Sequence, residues 1–129
     1  MKVLLIGFGS IGKRHFEVLS SFSQVEKIDL VTKQNIDDRK CYKNLENIED
    51  IEKYDYFVIA SETNKHYEQL NYLEKSVKGK FIFCEKPLFE TNRELVLKNN
   101  KVFIGYVLRF HPVLVKLKEF LKEEKIISV

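Results

Sequence analysis

A glycine-rich loop near the start of the chain constrains its fold more than any other feature. Residues 3–6 form a continuous apolar run, and the next six residues have the spacing G-x-G-x-x-G: Gly7, Phe8, Gly9, Ser10, Ile11 and Gly12. Where such a loop joins a strand to a helix, its glycines permit a tight turn, close approach to a diphosphate and close helix packing. The helix N-terminus adds unpaired amides and a partial positive charge. We therefore predict that this loop binds the diphosphate of a dinucleotide; a purely structural glycine turn is the alternative.

Apolar runs of strand length alternate with helical patterns along the rest of the chain. The runs predict strands at 3–6, 28–31, 41–42, 56–60, 81–84 and 102–108. The segments between them predict helices at 11–22, 45–51, 65–77, 90–98 and 112–124. This order is typical of an α/β protein with a doubly wound parallel sheet between two layers of helices, as in the Rossmann fold. Ligands of such sheets bind beyond the carboxyl ends of the strands, so the residues that follow each strand are the candidates for function.

The composition excludes several classes of protein. Of the 129 residues, 44% are hydrophobic and 32% charged, which suits one folded core and excludes disorder. The net charge of +3 comes from lysines interspersed with acidic residues, so no nucleic-acid partner is expected. No apolar run approaches the roughly 20 residues of a membrane-spanning helix, and no signal peptide is evident, so we expect no membrane partner and a cytoplasmic location. The histidines and cysteines are dispersed, and no metal site is predicted.

The second predicted strand is followed by Thr32 and Lys33. NAD-binding folds usually place Asp or Glu about 20 residues beyond the last glycine, where the carboxylate binds the ribose 2′-hydroxyl. Thr32 occupies that position, and Asp29 lies inside the strand. A hydroxyl beside an ammonium group suits a 2′-phosphate better, so the sequence favours NADP over NAD. The alternative is that Lys33 is a solvated surface lysine and the site accepts both cofactors.

Polar residues also follow the later strands. Residues 61–66 read S-E-T-N-K-H, which fits a helix start with a lone histidine as well as a ligand site. Glu85, Lys86 and Pro87 follow the fifth strand, where the Lys86 ammonium group is either a hydrogen-bond donor to a reacting oxygen or part of a surface ion pair. Arg109 follows the sixth strand and is a candidate anchor for an anion or a hydroxyl group.

Four segments together resemble the Gfo/Idh/MocA family, which includes glucose–fructose oxidoreductase and inositol dehydrogenase. They are IGFGSIGKRH, IASETNKH, FCEKPL and GYVLRFHP, in the family's order. The resemblance covers essentially the whole chain, and its most specific part is the combination of the glycine loop with EKP after a strand. It implies a Rossmann domain, an NAD or NADP cofactor, and hydride transfer to or from an alcohol or ketone of a sugar, cyclitol or nucleotide-sugar.

The resemblance also implies roles for individual residues. Lys86 matches the lysine that touches nicotinamide and substrate, so it is the predicted catalytic residue, and Arg109 matches an arginine near the substrate. Besides the loop residues 7–12, the predicted cofactor-binding residues are Thr32, Lys33, Ser61, Glu62, Thr63, His66, Glu85 and Lys86. Two positions depart from the family pattern. Thr32 replaces an acidic ribose ligand of many relatives, and Glu62 replaces a common proline.

The family's architecture implies a longer enzyme. Residues 1–112 correspond to the dinucleotide-binding domain, and residues 113–129 correspond to the connecting helix and first strand of a second domain. In the family that domain supplies the proton acceptor and usually the oligomer interface, so we expect this chain alone to bind cofactor with little or no turnover. Leu114, Leu117, Phe120 and Leu121 would be left exposed, which predicts a homodimer.

Two other functions are considered. The short length, Thr32 and Glu62 also fit a non-catalytic NAD(P)-binding module, such as a redox sensor or a truncated partner subunit. Methyl transfer from S-adenosylmethionine also uses a glycine loop after the first strand. It usually requires an acidic residue at the end of the second strand, however, and it gives EKP no evident task.

Overall fold

Residues 1–123 are described by a computed structural model, in which they form a parallel six-stranded sheet. The strands are β1 (Lys2–Ile6), β2 (Lys27–Val31), β3 (Cys41–Tyr42), β4 (Tyr56–Ile59), β5 (Phe81–Cys84) and β6 (Lys101–Ile104), in the spatial order β3-β2-β1-β4-β5-β6. The α-helices are α1 (Ser10–Ser20), α2 (Thr63–Ser76) and α3 (Pro112–Phe120). This strand order is that of the doubly wound Rossmann fold and confirms the predicted fold class. The strand predicted at 126–129 lies outside the described residues.

The central strand β1 is buried on both faces of the sheet. Leu4 packs in the cluster that contains Leu73 of α2, whereas Leu5 packs in the cluster that contains Leu19 of α1. Burial of each leucine side chain contributes about 1.5–3 kcal/mol to folding. Because both faces are covered by helices, β1 is continuously apolar instead of alternating with polar residues.

The direction of chain progression reverses at β1, which lies between β2 and β4. Ile6 pairs with Val31 on one side and with Ile59 on the other, so three strands end side by side. The Gly7 N–H donates to the Val31 carbonyl oxygen at 2.9 Å, and the Ala60 N–H donates to the Ile6 carbonyl oxygen at 2.8 Å. The crevice at such a switch point is where open α/β sheets bind their ligands.

The helix predicted at 90–98 is not formed, and the segment has an irregular conformation. Leu95 packs against the core, but Val96 is 66% exposed, so the segment has no apolar face to bury as a helix. Its end is held instead by Glu74 of α2, whose carboxylate accepts hydrogen bonds from the backbone amides of Lys98 and Asn99. These tertiary contacts outweigh the local helical preference.

The helix predicted at 45–51 is replaced by two short 3₁₀ turns, Leu45–Asn47 and Ile51–Lys53. The buried residues here are Leu45, Ile48 and Ile51, which recur every three positions. Leu45 and Ile51 begin the two turns and Ile48 lies between them in an extended conformation, and all three side chains pack in one core cluster.

The last two elements also differ in extent from the predictions. Strand β6 ends at Ile104 instead of continuing to 108, because the Tyr106 N–H donates to the Ile104 carbonyl oxygen in a tight turn. The chain then enters a 3₁₀ turn at Val107–Phe110. Helix α3 ends at Phe120 and is followed by a 3₁₀ turn at Leu121–Glu123.

The C-terminal part of the described chain is exposed. Helix α3 has no buried residue, and Phe110 and Phe120 are each 77% exposed. The homodimer expected from this apolar surface stays a prediction. In residues 1–123 no helix has the length and apolarity needed to cross a bilayer. Over the same residues, no three His, Cys, Asp or Glu side chains are grouped in a way that could hold a metal ion.

Candidate functional site

A cleft of about 730 Å³ opens at the carboxyl ends of β1, β2, β3 and β4. The glycine loop lies between two walls, one formed by residues 31–34 and 43–46 and the other by residues 60–62 and α2. The cleft brings together nine of the predicted cofactor-binding residues: Gly7, Phe8, Gly9, Ser10, Ile11, Thr32, Lys33, Ser61 and Glu62. It lies at the switch point of the sheet.

Close backbone contacts require two of the loop glycines. Gly7 has a φ of +93°, and a Cβ there would lie 2.6 Å from the Cα of Ser61. A Cβ on Gly12 would overlap the carbonyl oxygen of Gly7. Because the overlapping atoms belong to the backbone, a side chain at Gly7 would force the loop away from the turn after β4, and one at Gly12 would force α1 away from the loop.

Gly9 precedes α1 and has different surroundings. No heavy atom of the described chain beyond its immediate neighbours lies within 4 Å of a Cβ built there, and its φ of −76° suits any residue. No side chain in residues 1–123 caps α1. The helix ladder begins with the Lys13 N–H, which donates to the Gly9 carbonyl oxygen at 2.9 Å, so the amides of residues 10–12 precede it. Open space therefore lies beside unpaired amides at the positive end of the helix dipole.

The wall after β2 presents a hydroxyl, an amide and an exposed ammonium group, contributed by Thr32, Gln34 and Lys33. The Gln34 N–H donates to Thr32 Oγ1 at 3.2 Å, and Gln34 Nε2 donates to the Phe8 carbonyl oxygen at 3.3 Å. These bonds tie the wall to the glycine loop. Asp29 of β2 is 1% exposed and accepts a hydrogen bond from a buried tyrosine, so its carboxylate is held in the core away from the cleft.

On the opposite wall, a negatively charged side chain is paired with a positively charged one. Ser61 Oγ donates to Gln69 Oε1 at 2.6 Å, and Glu62 Oε2 pairs with Lys65 Nζ at 2.9 Å. The hydrogen bond from Lys65 lowers the pKa of Glu62, so this carboxyl group is ionised at neutral pH. Glu62 therefore lines the cleft together with its own counter-ion.

Thr63 and His66 do not line the cleft. Thr63 is the first residue of α2. His66 is 1% exposed, with Nδ1 3.1 Å from the Pro87 carbonyl oxygen and Nε2 3.1 Å from the Ser61 carbonyl oxygen. Both partners are hydrogen-bond acceptors, so the imidazole ring joins the turn after β4 to the turn after β5. This geometry supports a role in positioning the two turns.

The Glu85-Lys86-Pro87 turn lies at the carboxyl end of β5, beside β4 but outside the lining of the cleft. Glu85 Oε1 lies 2.8 Å from Nε2 of His15 in α1, in a partly buried pair. A Cβ at residue 105 would lie 3.0 Å from Glu85 Oε2, so Gly105 leaves room for the carboxylate. The Lys86–Pro87 peptide bond is cis, and Lys86 is exposed. The pair thus connects the lysine-bearing turn to the helix that follows the glycine loop.

Arg109 lies away from these residues. It is exposed in the 3₁₀ turn Val107–Phe110, beside Leu114 and Lys118 of α3, in a groove separate from the cleft. The structure therefore brings together residues predicted to bind the diphosphate, residues predicted to bind the ribose, and residues that follow β4. It leaves Arg109, the predicted substrate ligand, on the exposed C-terminal part of the described chain.

The cleft also contains residues that the sequence analysis did not identify. They include Gln34, Lys43, Asn44, Leu45, Glu46, Lys65, Glu68, Gln69 and Tyr72. Lys43 and Asn44 directly follow β3, so the strand-end rule finds them once it is applied to a strand of only two residues. Gln69 and Tyr72 lie in later turns of α2, where no local pattern distinguishes them from solvent-facing residues.

Comparison with known families shows to which protein family this chain belongs. The model of the GFO_IDH_MocA family, described as an oxidoreductase family with an NAD-binding Rossmann fold, matches residues 1–97 of this chain. The chain belongs to the Gfo/Idh/MocA oxidoreductase family. This match confirms the resemblance, the oxidoreductase class and a nicotinamide dinucleotide as the cofactor of the fold. No match was found among curated proteins.

Solved structures share the fold of this Gfo/Idh/MocA chain. The myo-inositol 2-dehydrogenase from Lactobacillus plantarum has a TM-score of 0.78 and 20% identity, over 100% of this chain and 43% of that chain. The WlbA (WbpB) dehydrogenase from Thermus thermophilus, in complex with NAD and UDP-GlcNAcA, has a TM-score of 0.71 and 22% identity over 98% and 48%. An NAD-binding protein from Listeria innocua has a TM-score of 0.72 and 20% identity over 97% and 41%. At these identities the likeness shows the fold, and the chain spans less than half the length of each structure.

Proposed function

We propose that this chain is the cofactor-binding part of an NAD(P)-dependent dehydrogenase that moves a hydride to or from a sugar-like alcohol or ketone. One observation carries the proposal. In the glycine loop, Gly7 and Gly12 are required by backbone contacts, while Gly9 between them faces open space beside unpaired amides of α1. Turn geometry alone explains the first two glycines, but it gives no reason for an open approach at the third. A diphosphate does.

The residues of the cleft fit a dinucleotide. The amides of residues 10–12 would bind the diphosphate oxygens, because they precede the helix ladder and lie at the positive end of the dipole. The wall formed by Thr32 and Lys33 would face the adenosine ribose, and the wall formed by Ser61 and Glu62 would lie along the other side. The bound nicotinamide would supply the hydride donor or acceptor.

Lys86 is the proposed catalytic residue of this chain. Its exposed ammonium group follows β5, the strand next to β4, and it is free to donate a hydrogen bond to the substrate oxygen. The 2.8 Å contact between Glu85 and His15 holds that turn against α1, so Glu85 acts as a positioning residue for Lys86. Arg109 is proposed to contact the substrate, since it follows β6 at the same edge of the sheet.

Structures that share this fold support the proposed substrate class. Two solved structures with this fold are a myo-inositol dehydrogenase and a dehydrogenase in complex with UDP-GlcNAcA. A cyclitol, sugar or nucleotide-sugar carries the secondary alcohols that hydride transfer to nicotinamide requires, and its hydroxyl groups suit donors such as Lys86 and Arg109.

Calorimetric titration with NADH and NADPH tests the binding part of the proposal. We expect at least one of the two to bind with one-to-one stoichiometry. Gly9→Ala should weaken that binding by about tenfold or more, because a methyl group occupies the approach to the amides. Its folding cost should be about 1 kcal/mol or less, since the built Cβ contacts nothing. Absence of binding, or equal affinity in Gly9→Ala, would contradict the proposal.

Lys86→Ala tests the catalytic part, in the form of the protein that shows turnover. We expect turnover to fall by about a hundredfold or more while cofactor affinity stays within about twofold, because Lys86 lies outside the cleft lining. Lys78→Gln is the charge-matched control, since Lys78 is exposed and precedes β5 at the opposite edge of the sheet. Equal losses of turnover and cofactor affinity in Lys86→Ala would argue against the catalytic role.

A further inference from the structure

The wall of the cleft at the ends of β2 and β3 carries a charge pattern that bears on cofactor choice. In dinucleotide folds, an Asp or Glu at the end of β2 hydrogen-bonds the 2′-hydroxyl of NAD, and a cation in its place accommodates the 2′-phosphate of NADP. Here the three residues after β2 that line the cleft are Thr32, Lys33 and Gln34, and none is acidic.

The nearest carboxylate on β2 is committed to the core. Asp29 is 1% exposed, accepts a hydrogen bond from the Tyr54 hydroxyl at 2.6 Å and forms an ion pair with Lys27 Nζ at 3.1 Å. Burial and the bond to Asp29 raise the pKa of Tyr54, so its hydroxyl stays protonated and keeps donating. Turning Asp29 toward the ribose would break its hydrogen bond with the buried Tyr54 hydroxyl, so Asp29 is not available as a ribose ligand.

Two ammonium groups stand on this wall. Lys33 follows β2 and Lys43 follows β3, and both line the cleft. The two strands are neighbours, with Val31 paired to Tyr42, and the Thr32 N–H donates to the Tyr42 carbonyl oxygen at 2.8 Å. This pairing fixes the backbones from which both lysines extend, one from each of two adjacent strand ends.

The other charged groups that line the cleft are Lys65, Glu46, Glu62 and Glu68. Glu62 is paired with Lys65, as described above. Glu46 is an exposed carboxylate in the 3₁₀ turn that follows Lys43, which makes it the one rival ribose ligand on this wall within the described chain. A preference for NAD would require Glu46 to reach the 2′-hydroxyl.

We propose that this cleft selects the dinucleotide whose adenosine ribose carries a 2′-phosphate, with Lys33 and Lys43 binding the phosphate. The inference rests on the proposed function and deepens it. A phosphate monoester carries nearly two negative charges at pH 7, and two ammonium groups on adjacent strand ends stabilise it where no carboxylate opposes it from the end of β2.

Titration of the chain with four probes tests this inference: NADPH, NADH, and the fragments 2′,5′-ADP and 5′-AMP. We expect NADPH to bind about tenfold or more tightly than NADH at low ionic strength, and 2′,5′-ADP to bind more tightly than 5′-AMP. The advantage should shrink as salt rises, because the lysines are exposed.

Variants of the residues that follow β2 and β3 test whether the preference for NADPH comes from this wall of the cleft. Lys33→Gln and Lys43→Gln should each weaken NADPH binding by about threefold or more and leave NADH within twofold, whereas Lys78→Gln, outside the cleft, should change neither. Thr32→Asp should reverse the preference, because it supplies the missing carboxylate at the end of β2.

The outcomes are distinguishable. NADH binding as tightly as NADPH would overturn the inference and leave the proposed function standing, and loss of that NADH binding in Glu46→Gln would identify Glu46 as the ribose ligand. If neither dinucleotide binds, the proposed function itself fails and the inference fails with it.

Discussion

The region around the glycine loop and the region after β6 differ in how far contacts within the described chain fix their conformation. Strands β1 and β4 are almost entirely buried, and Gly7 and Gly12 fit only as glycines. Residues 106–120 are all exposed, including large apolar side chains such as Phe110. The difference separates two tasks. Diphosphate binding is proposed for a loop whose backbone is already packed and oriented, whereas substrate binding is proposed for Arg109, on a surface that is not buried within the described chain.

Gly7→Ala gives the largest expected loss of stability and tests the region around the glycine loop, whose conformation is fixed by packing. Its φ of +93° is unfavourable for alanine, and the new Cβ would lie 2.6 Å from backbone atoms of Ser61. We expect a loss of about 3–5 kcal/mol in the free energy of unfolding, measured by urea titration, which would leave a domain of ordinary stability close to unfolding. Gly9→Ala is the matched control. If both variants unfold at the same urea concentration as the wild type, the loop is not sterically determined as described.

A pair of leucine variants compares the two regions directly. Leu73 of α2 is fully buried, whereas Leu117 of α3 is 48% exposed. We expect Leu73→Ala to cost about 2–5 kcal/mol and Leu117→Ala to cost less than about 1 kcal/mol in urea unfolding. Similar costs at the two positions would mean that α3 is packed in solution, and the contrast between the regions would disappear.

Glu74→Gln tests the contact that connects the two regions, because Glu74 holds the segment that leads into β6. Burial raises the pKa of Glu74, but hydrogen bonds from Asn99, Asn100 and Lys98 outweigh that effect, so its pKa lies below the ordinary value of 4.5. The stabilisation is therefore fully present above the pKa of the unfolded state and is lost as pH falls through the lower pKa of the folded state.

We expect Glu74→Gln to cost about 1–3 kcal/mol at pH 7. The difference from the wild type should shrink below about pH 4.5, which is the ordinary glutamate value. Glu94→Gln, an exposed change in the same part of the chain, is the control. A difference that does not vary with pH would mean that the ionised carboxylate is not what holds residues 98–100.

A variant that prevents self-association is expected to have the smallest effect on the free energy of unfolding. It tests the exposed region after β6. The apolar side chains of Leu114, Leu117 and Phe120 predict a concentration-dependent homodimer by light scattering. Phe120 is 77% exposed, so Phe120→Glu should abolish the dimer and change the free energy of unfolding by about 0.5 kcal/mol or less. A wild-type chain that stays monomeric at high concentration would remove the homodimer prediction.

The features that sequence could predict are those with local physical causes. The continuous apolar runs of β1 and β4 follow from burial on both faces of the sheet, and the glycine spacing follows from one turn and one helix start. The direction of the parallel sheet then places residues 7–12 and 32–33 at the same edge. For this reason nine of the residues that line the cleft could be predicted from the sequence.

The features that sequence missed depend on contacts between distant segments. Glu74 captures the amides of residues 98 and 99 and replaces the helix expected at 90–98. Lys43 lies in the cleft because β3 pairs with β2; the sequence predicts this two-residue strand but does not show that it lies beside β2. His66 reads as a ligand in the helix start, yet its ring lies between two carbonyl oxygens from separate turns.

Amide NMR spectra of the chain with and without NADPH test most directly whether the start of α1 binds the diphosphate. The largest shifts are predicted at the amides of Ser10, Ile11 and Gly12, with smaller shifts at Lys33 and Lys43. They should be much smaller in Gly9→Ala at a ligand concentration close to the wild-type Kd. Shifts confined to other parts of the chain, such as the groove beside Arg109, would contradict that assignment.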